Sequence, residues 1–158
     1  MSRMYWLAYS GTLTNAGGNA DLLELNPADD KPCKLRRMVI SQISEVADAA
    51  EEGLQISVQR FPATVTTGNG TAVTGTPIDS ADSAAGFAAE CNGATVATTS
   101  GTAVFFGYFG WNVRAGLDIY FNPEEAPKAK QAEAIIVRCD TTAADDITVN
   151  LAFLIEEE

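Results

Sequence analysis

The chain has 158 residues, which is enough for one domain with a buried core. Hydrophobic residues make up 46% of it, and this fraction excludes the composition of a disordered protein. Ten basic and 21 acidic residues give a net charge of −11, which argues against phosphate-backbone binding as the main role. Residues 1–40 carry five basic and four acidic residues, so this part is the better candidate to face an acidic partner. Ordinary solvated charges on strand faces are the commoner explanation of that asymmetry.

Alternating and β-branched patterns predict strands along most of the chain. In the first part they fall at Met4–Leu13, Asp21–Leu25, Lys34–Ile43 and Leu54–Phe61. The last of these alternates most regularly and indicates a strand with one buried face. The acidic segment from Ser44 to Gly53 favours at most a helical turn, because it is too short for a stable helix.

The segment from Ala63 to Ala89 is rich in Thr, Gly, Ala and Ser and has few large apolar side chains. Asn69-Gly70 within it suits a type I′ turn, so the sequence predicts a long hairpin at about 63–89. Such a hairpin cannot bury itself, and we expect it to lean on the rest of the domain or on a partner.

Further strands are predicted around Ala94–Thr98, Ala103–Tyr108, Leu117–Phe121, Ala134–Cys139 and Ile147–Ile155. The stretch from Gly110 to Gly116 is predicted to be a tight link between two of them. With about eight to ten strands and no long helix, the pattern predicts an all-β fold, an antiparallel β-sandwich of jelly-roll type, in a single domain over residues 1–158. A βαβ arrangement would need long amphipathic helices, and the sequence has no pattern for them.

No catalytic centre is visible in the sequence. Histidine is absent, which excludes Ser-His-Asp and Cys-His nucleophile systems and histidine-based metal sites, and no phosphate-binding glycine loop occurs. We therefore expect no enzyme, no cofactor and no metal. Two alternatives stay open: a carboxylate pair such as Asp118 with Glu133 for glycan hydrolysis, and a hard cation held by 145–146 together with the acidic tail 156–158. A tail left in solvent is the favoured explanation of the last three glutamates.

The three cysteines are Cys33, Cys91 and Cys139, each in or beside an apolar stretch and far from the others. This spacing excludes a local zinc or redox pair and favours reduced, buried thiols. No segment approaches the roughly 18 consecutive apolar residues of a membrane helix, and the apolar run at the start is too short for a signal peptide. We expect a protein that is neither membrane-bound nor exported by the standard route.

Two groups of residues are candidates for a partner interface. Trp111 and Arg114 lie three residues apart between glycines, and both residue types are enriched in interfaces. The alternative is that Trp111 plugs one end of the sandwich while Arg114 pairs with a nearby acid. Asn69, Thr71 and Val73 in the predicted hairpin form the second group.

The order of several short motifs resembles that of small jelly-roll head proteins of tailed bacteriophages, which decorate the capsid or serve structurally in the head. The motifs are a strand end at 41–44, an acidic bend (Asp48, Glu51, Glu52), an alternating strand ending in arginine (54–60), a Gly/Thr-rich stretch with Thr-Pro (66–77), Trp-Asn-x-Arg-x-Gly (111–116), a Pro-Glu-Glu loop (121–127) and a last strand running into Glu-Glu (146–157).

This resemblance implies a non-enzymatic virion protein that decorates or cements the capsid exterior and is made in the host cytoplasm. The implied partners are the major capsid protein and further copies of the chain, a homotrimer being favoured, with no nucleic acid and no membrane. A carbohydrate-binding or adhesion module of a phage or bacterial surface is the alternative, with Trp6, Trp111 and the tyrosines as sugar platforms.

Overall fold

The computed structural model describes residues 2–14, 18–44 and 52–158, and all regular structure in these ranges is β-strand. The strands are β1 (Arg3–Leu13), β2 (Ala20–Asn26), β3 (Cys33–Gln42), β4 (Gly53–Phe61), β5 (Val65–Thr66), β6 (Thr71–Val73), β7 (Thr76–Pro77), β8 (Ala88–Cys91), β9 (Thr98–Thr99), β10 (Val104–Asn112), β11 (Leu117–Tyr120), β12 (Lys128–Ala129), β13 (Ala134–Cys139) and β14 (Ile147–Glu157). Most of the acidic segment predicted as a helical turn, with Asp48 and Glu51 of the motif series, lies outside the described residues.

Two six-stranded antiparallel sheets form the fold. Sheet A has the order β11-β3-β14-β1-β7, with β12 also pairing with β3, and sheet B has the order β10-β4-β13-β2-β8-β6. A separate two-stranded ribbon joins β5 to β9. The all-β, antiparallel sandwich predicted from the sequence is therefore confirmed.

The strand order is that of a jelly roll. In each of the chain-consecutive pairs β1/β2, β3/β4, β10/β11 and β13/β14, the chain crosses from one sheet to the other. Counting these eight strands in chain order, sheet A reads 1-8-3-6 and sheet B reads 2-7-4-5, which is two interlocked Greek keys. The long segment between β4 and β10 is an insertion in this frame.

Alternating side chains of both sheets fill the space between them. β14 alternates buried and half-buried residues along its whole length, and its buried side chains belong to the same core cluster as those of β3, β4 and β13. A smaller apolar cluster lies on the other face of sheet B, where Phe61, Ala134 and Ile136 pack with Ala97 of the insertion. Within the described ranges, no helix is long and apolar enough to cross a membrane.

The insertion does not form the predicted hairpin at 63–89. β5 pairs with β9, β6 pairs with β8, and β7 pairs with β1, so the chain on either side of Asn69-Gly70 goes to different partners. A type I′ turn needs positive φ at both central residues, and among the described residues Gly18 is the one glycine with a positive φ. Asn69 instead binds Thr95: its Oδ1 accepts from the Thr95 amide at 2.7 Å.

Candidate functional site

Trp111 is a core residue. Its side chain is 1% exposed, and its indole Nε1 donates to the Ala115 carbonyl at 3.1 Å, which closes the turn that leads from β10 to β11. This placement agrees with the alternative in which Trp111 fills one end of the sandwich, and not with Trp111 as an exposed interface residue. Arg114 lies in the same turn and is exposed, with its amide donating to Asn112 Oδ1 at 3.0 Å.

The second candidate group lies at the opposite edge of sheet B. Thr71 and Val73 belong to β6, whereas Trp111 belongs to β10, and four strands separate these two edges. At a strand spacing of about 4.8 Å this is roughly 24 Å. Asn69 and Thr71 are exposed and Val73 is half-buried against the core. The structure therefore does not bring the two groups into one surface.

The acidic end of the chain is part of the fold. Glu156 and Glu157 belong to β14, and all three terminal glutamates contact basic side chains. Arg36 binds Glu156 at 2.5 Å, Lys34 and Lys128 bind Glu158, and Glu157 accepts from Lys31 and from the Gly86 amide. The expectation of a tail left in solvent is wrong, because Lys31, Lys34 and Arg36 of the N-terminal part, together with Lys128, pair with it.

The structure also separates the acids that were considered as a cation site. Asp146 directly precedes β14, and the ten residues from it to Glu156 span about 33 Å, so 145–146 and the terminal glutamates cannot share an ion. Across the described part of the chain, no group of three or more Cys, Asp or Glu residues has the geometry of a metal site.

The proposed carboxylate pair is engaged in other contacts. Asp118 forms a bidentate ion pair with Arg37, at 2.8 and 2.5 Å, and this hydrogen-bonded partner lowers the pKa of the exposed carboxyl. Glu133 accepts from the Lys130 amide at 3.0 Å and closes a turn. Asp118 is therefore held ionised, which is unsuited to a general acid.

A buried ion pair fastens the insertion to the outer face of sheet B. Arg138 donates to both oxygens of Asp21, at 2.6 and 3.2 Å, and to the Ala97 carbonyl at 2.8 Å. The Asp21 carboxylate in turn accepts from the Ala97 amide at 2.6 Å. Both main-chain groups of Ala97 are thus held by one charged pair, so this surface is covered by the chain itself.

The three cysteines are free and buried, as predicted. Burial raises the pKa of the Cys33 and Cys91 thiols to about 12, and it also raises the pKa of Cys139. These thiols stay protonated at neutral pH and act as small apolar side chains.

An aromatic surface lies at the other edge of sheet B. β10 pairs with β4 on one side, and within the described residues no strand pairs with its other side. It carries Val104, Phe105, Phe106 and Tyr108, which are 38–58% exposed, and Tyr120 at the end of β11 is 60% exposed. We call these five residues the aromatic edge.

A β-bulge arranges the rings of this strand. The register of β10 against β4 shifts between Phe105 and Gly107, so Phe106 is an extra residue. The shift brings Phe105 and Tyr108 to one face, where their rings stack with centroids 5.2 Å apart. The Arg60 guanidinium lies 5.8 Å from the Phe106 ring.

Beside the aromatic edge is an open groove of about 640 Å³. Its lining includes Gly53 and Gln55 of β4, Tyr108, Gly110 and Asn112 of β10, and Thr141. A side chain added at either glycine would meet nothing within 4 Å. The groove is therefore a shallow, uncharged surface with one exposed ring.

Sequence reasoning missed the aromatic edge. The segment 104–112 contains no charged residue in a chain with 31 charged residues, and its successive aromatic residues break the two-residue alternation. That interruption was the available signal, because a strand with apolar side chains on both faces at a sheet edge leaves some of them in solvent.

No protein-family model matches the chain, and no curated protein matches it. Weak similarity to solved viral structures is found. A mutant VP2 protein of Infectious Bursal Disease Virus in derived T=1 particles has a TM-score of 0.22 and 11% identity, over 99% of this chain and 40% of that one. A chain of the T13 particle of the same virus has a TM-score of 0.21 and 10% identity, over 98% and 39%. The chain spans about 40% of the length of these neighbours, and scores this low do not establish a shared fold.

Proposed function

We propose that this chain is a non-enzymatic structural protein of a virus particle, which acts through protein–protein contacts. The observation that carries the proposal is the aromatic edge: its rings are exposed, and β10, which carries most of them, has no charged residue and, among the described residues, no strand partner on its outer side, in a protein of net charge −11. Exposed apolar strands at sheet edges are contact sites or aggregation hazards, so a stable protein that keeps one uses it for assembly.

The jelly-roll strand order supports the same role. Viral capsid and lectin domains use this double-sheet fold, although a fold by itself does not assign a function. The acidic charge suits the outside of a particle, because a shell protein that faces the nucleic acid needs basic residues to neutralise phosphates.

The finer assignment, to the capsid exterior of a tailed bacteriophage, rests on the motif resemblance. The structure explains two positions of one motif, Trp-Asn-x-Arg-x-Gly. Trp111 is buried in the core and donates to the Ala115 carbonyl in the turn, while Arg114 is exposed. The proposed partners are the major capsid protein and further copies of the chain, as a trimer according to the resemblance. The proposed location is the exterior of the virion, after synthesis in the host cytoplasm.

Mass spectrometry of purified virions tests this proposal. We expect the chain in the particle at a stoichiometry tied to that of the capsid protein, and we expect limited proteolysis of intact particles to cleave it before the genome is exposed. Absence of the chain from washed particles would overturn the structural role. Presence with full protection until the shell is opened would overturn the exterior location.

Carbohydrate binding is a second candidate function, favoured by the groove beside Tyr108. An exposed tyrosine ring with the amides of Gln55 and Asn112 nearby can stack on a sugar and bind its hydroxyls. Trp111 is not available as a platform because it is buried, and Trp6 is half-buried. A glycan array compares the protein with its Tyr108→Ala variant; binding that is lost in the variant supports this function, and no binding removes it.

A further inference from the structure

We propose that the aromatic edge is completed by a second copy of the chain, through antiparallel pairing of β10 with β10 of that copy about a two-fold axis at Gly110. This inference deepens the proposed function, since it rests on the assignment of the edge to assembly and names the partner. The resulting sheet would continue from sheet B of one copy into sheet B of the other.

The hydrogen bonds of β10 show which main-chain groups face the open side. Val113 donates to the Glu52 carbonyl at 3.0 Å, and this pair continues the register of β10 with β4. Hydrogen-bonded pairs alternate along an antiparallel ladder, so the amides and carbonyls of residues 107, 109 and 111 point towards β4. The amides and carbonyls of Tyr108, Gly110 and Asn112 therefore point to the unpaired side.

An independent contact supports this alternation. Gln55 lies opposite Gly110, and its own amide and carbonyl bind Thr141 Oγ1 at 2.9 Å and the Asp140 amide at 2.8 Å, away from β10. Asn112 uses its carbonyl for the Ala115 amide at 2.9 Å and keeps its N–H for the open side.

These free groups are self-complementary about Gly110. In that register Gly110 exchanges two hydrogen bonds with its own copy, and the Tyr108 carbonyl accepts from the Asn112 amide of the second copy. An added side chain at Gly110 would meet nothing within 4 Å among the described residues, so the face of the sheet has room at the axis for the substitutions that test the pairing.

Charge favours this strand over the rest of the surface for self-association. Two chains of charge −11 repel each other, but Val104–Asn112 has no charged residue, so the paired strands themselves bring no acidic side chains together. A two-fold contact is isologous and stops at two chains. It is therefore distinct from the three-fold association that the resemblance implies.

Sedimentation of the purified chain over a concentration series tests the pairing. We expect wild type to approach twice 16.7 kDa at high concentration. Gly110→Lys and Gly110→Glu each place like charges across the axis, so each alone is expected to stay at the single-chain mass. An equal mixture of the two variants brings opposite charges together and is expected to recover the two-chain mass. Ser80→Lys, at an exposed position of the insertion, is the matched control and keeps the two-chain mass.

Near-ultraviolet circular dichroism checks that each variant is folded before its mass is interpreted. A wild-type chain that stays monomeric or forms trimers overturns the pairing, and so does a Gly110→Lys variant that still dimerises or a mixture that does not. None of these outcomes removes the chain from virions, so the mass spectrometry of particles reports separately on the proposed function. A monomer that nevertheless occurs in particles assigns the edge to a different partner.

Discussion

Replacing Arg138 by Met tests how much the buried ion pair between Asp21 and Arg138 contributes to the stability of the protein. Asp21 is 3% exposed, and in the variant its carboxylate loses both hydrogen bonds from Arg138 and keeps the one from the Ala97 amide. Breaking a buried pair on one side leaves an uncompensated charge, and the usual cost is about 3–5 kcal/mol. Met preserves most of the apolar stem of Arg138, so the electrostatic loss dominates.

The loss of unfolding free energy in Arg138→Met depends on pH, because the Asp21 carboxyl without its partner can take up a proton. Burial already raises the pKa of Asp21 in the intact pair, with the Arg138 hydrogen bonds opposing that effect. From an ordinary pKa of about 3.9, protonation costs about 4 kcal/mol at pH 7 and about 1.5 kcal/mol at pH 5. A raised folded-state pKa makes stability fall as pH rises from the unfolded pKa towards the folded one. The loss of ionic contacts is therefore expected to reach about 3–4 kcal/mol at pH 7 and no more than about 1.5 kcal/mol at pH 5.

Urea unfolding of wild type and Arg138→Met at both pH values measures this difference. Arg37→Met is the matched control, because it breaks the exposed pair with Asp118, and its unfolding free energy is expected to stay close to that of wild type at both pH values. The double variant Asp21→Asn, Arg138→Met removes the buried charge and should lose the pH dependence. An equal loss for Arg138→Met at pH 5 and pH 7 would refute the reasoning.

Three further predictions concern the core. Trp111→Ala removes a fully buried ring and its bond to Ala115, so urea unfolding should show a loss of about 3–5 kcal/mol; a loss below 1 kcal/mol would contradict a core role. The three cysteines should not react with a thiol reagent at pH 8 until the protein is unfolded, and fast labelling of the native chain would contradict their burial. Gly75→Ala should lower stability by about 1–3 kcal/mol in the same unfolding assay, because the new methyl would lie 2.8 Å from the Phe87 ring, and an unchanged midpoint would show that the ring moves aside.

Long strands were predictable where the sequence has a regular pattern of apolar residues. β4 and β13 were placed within one residue of their observed bounds, because the sequence of β4 alternates regularly and β13 is a continuous apolar run. The prediction that β4 has one buried face is wrong, because Ser57 and Gln59 on its other face are buried as well. Short strands such as β5, β7 and β9 have two residues each, and their pairing depends on where the insertion lies against the finished sandwich. No local pattern in a Gly/Thr-rich segment specifies that placement.

The candidate site was predictable in smaller part. The sequence predicted a strand to Tyr108 and a tight link from Gly110 to Gly116, but β10 continues to Asn112, because a sheet edge accommodates glycine in extended backbone. This extension turns Trp111 into the core and aligns it opposite Leu54 of β4. The burial of Trp111 follows from that long-range pairing, which the residues around it do not reveal.

The position of β14 has a consequence for how the protein is made. β14 lies between β1 and β3 in sheet A and pairs with β1 along its full length of 11 residues, from Leu13↔Ile147 to Arg3↔Glu157. Ribosomes synthesise β1 and β3 long before β14, so each must wait with an apolar face and an unpaired side. Folding is therefore expected to be delayed until the segment to Glu157 has left the exit tunnel, and nascent chains stalled before Ile147 should be bound by chaperones.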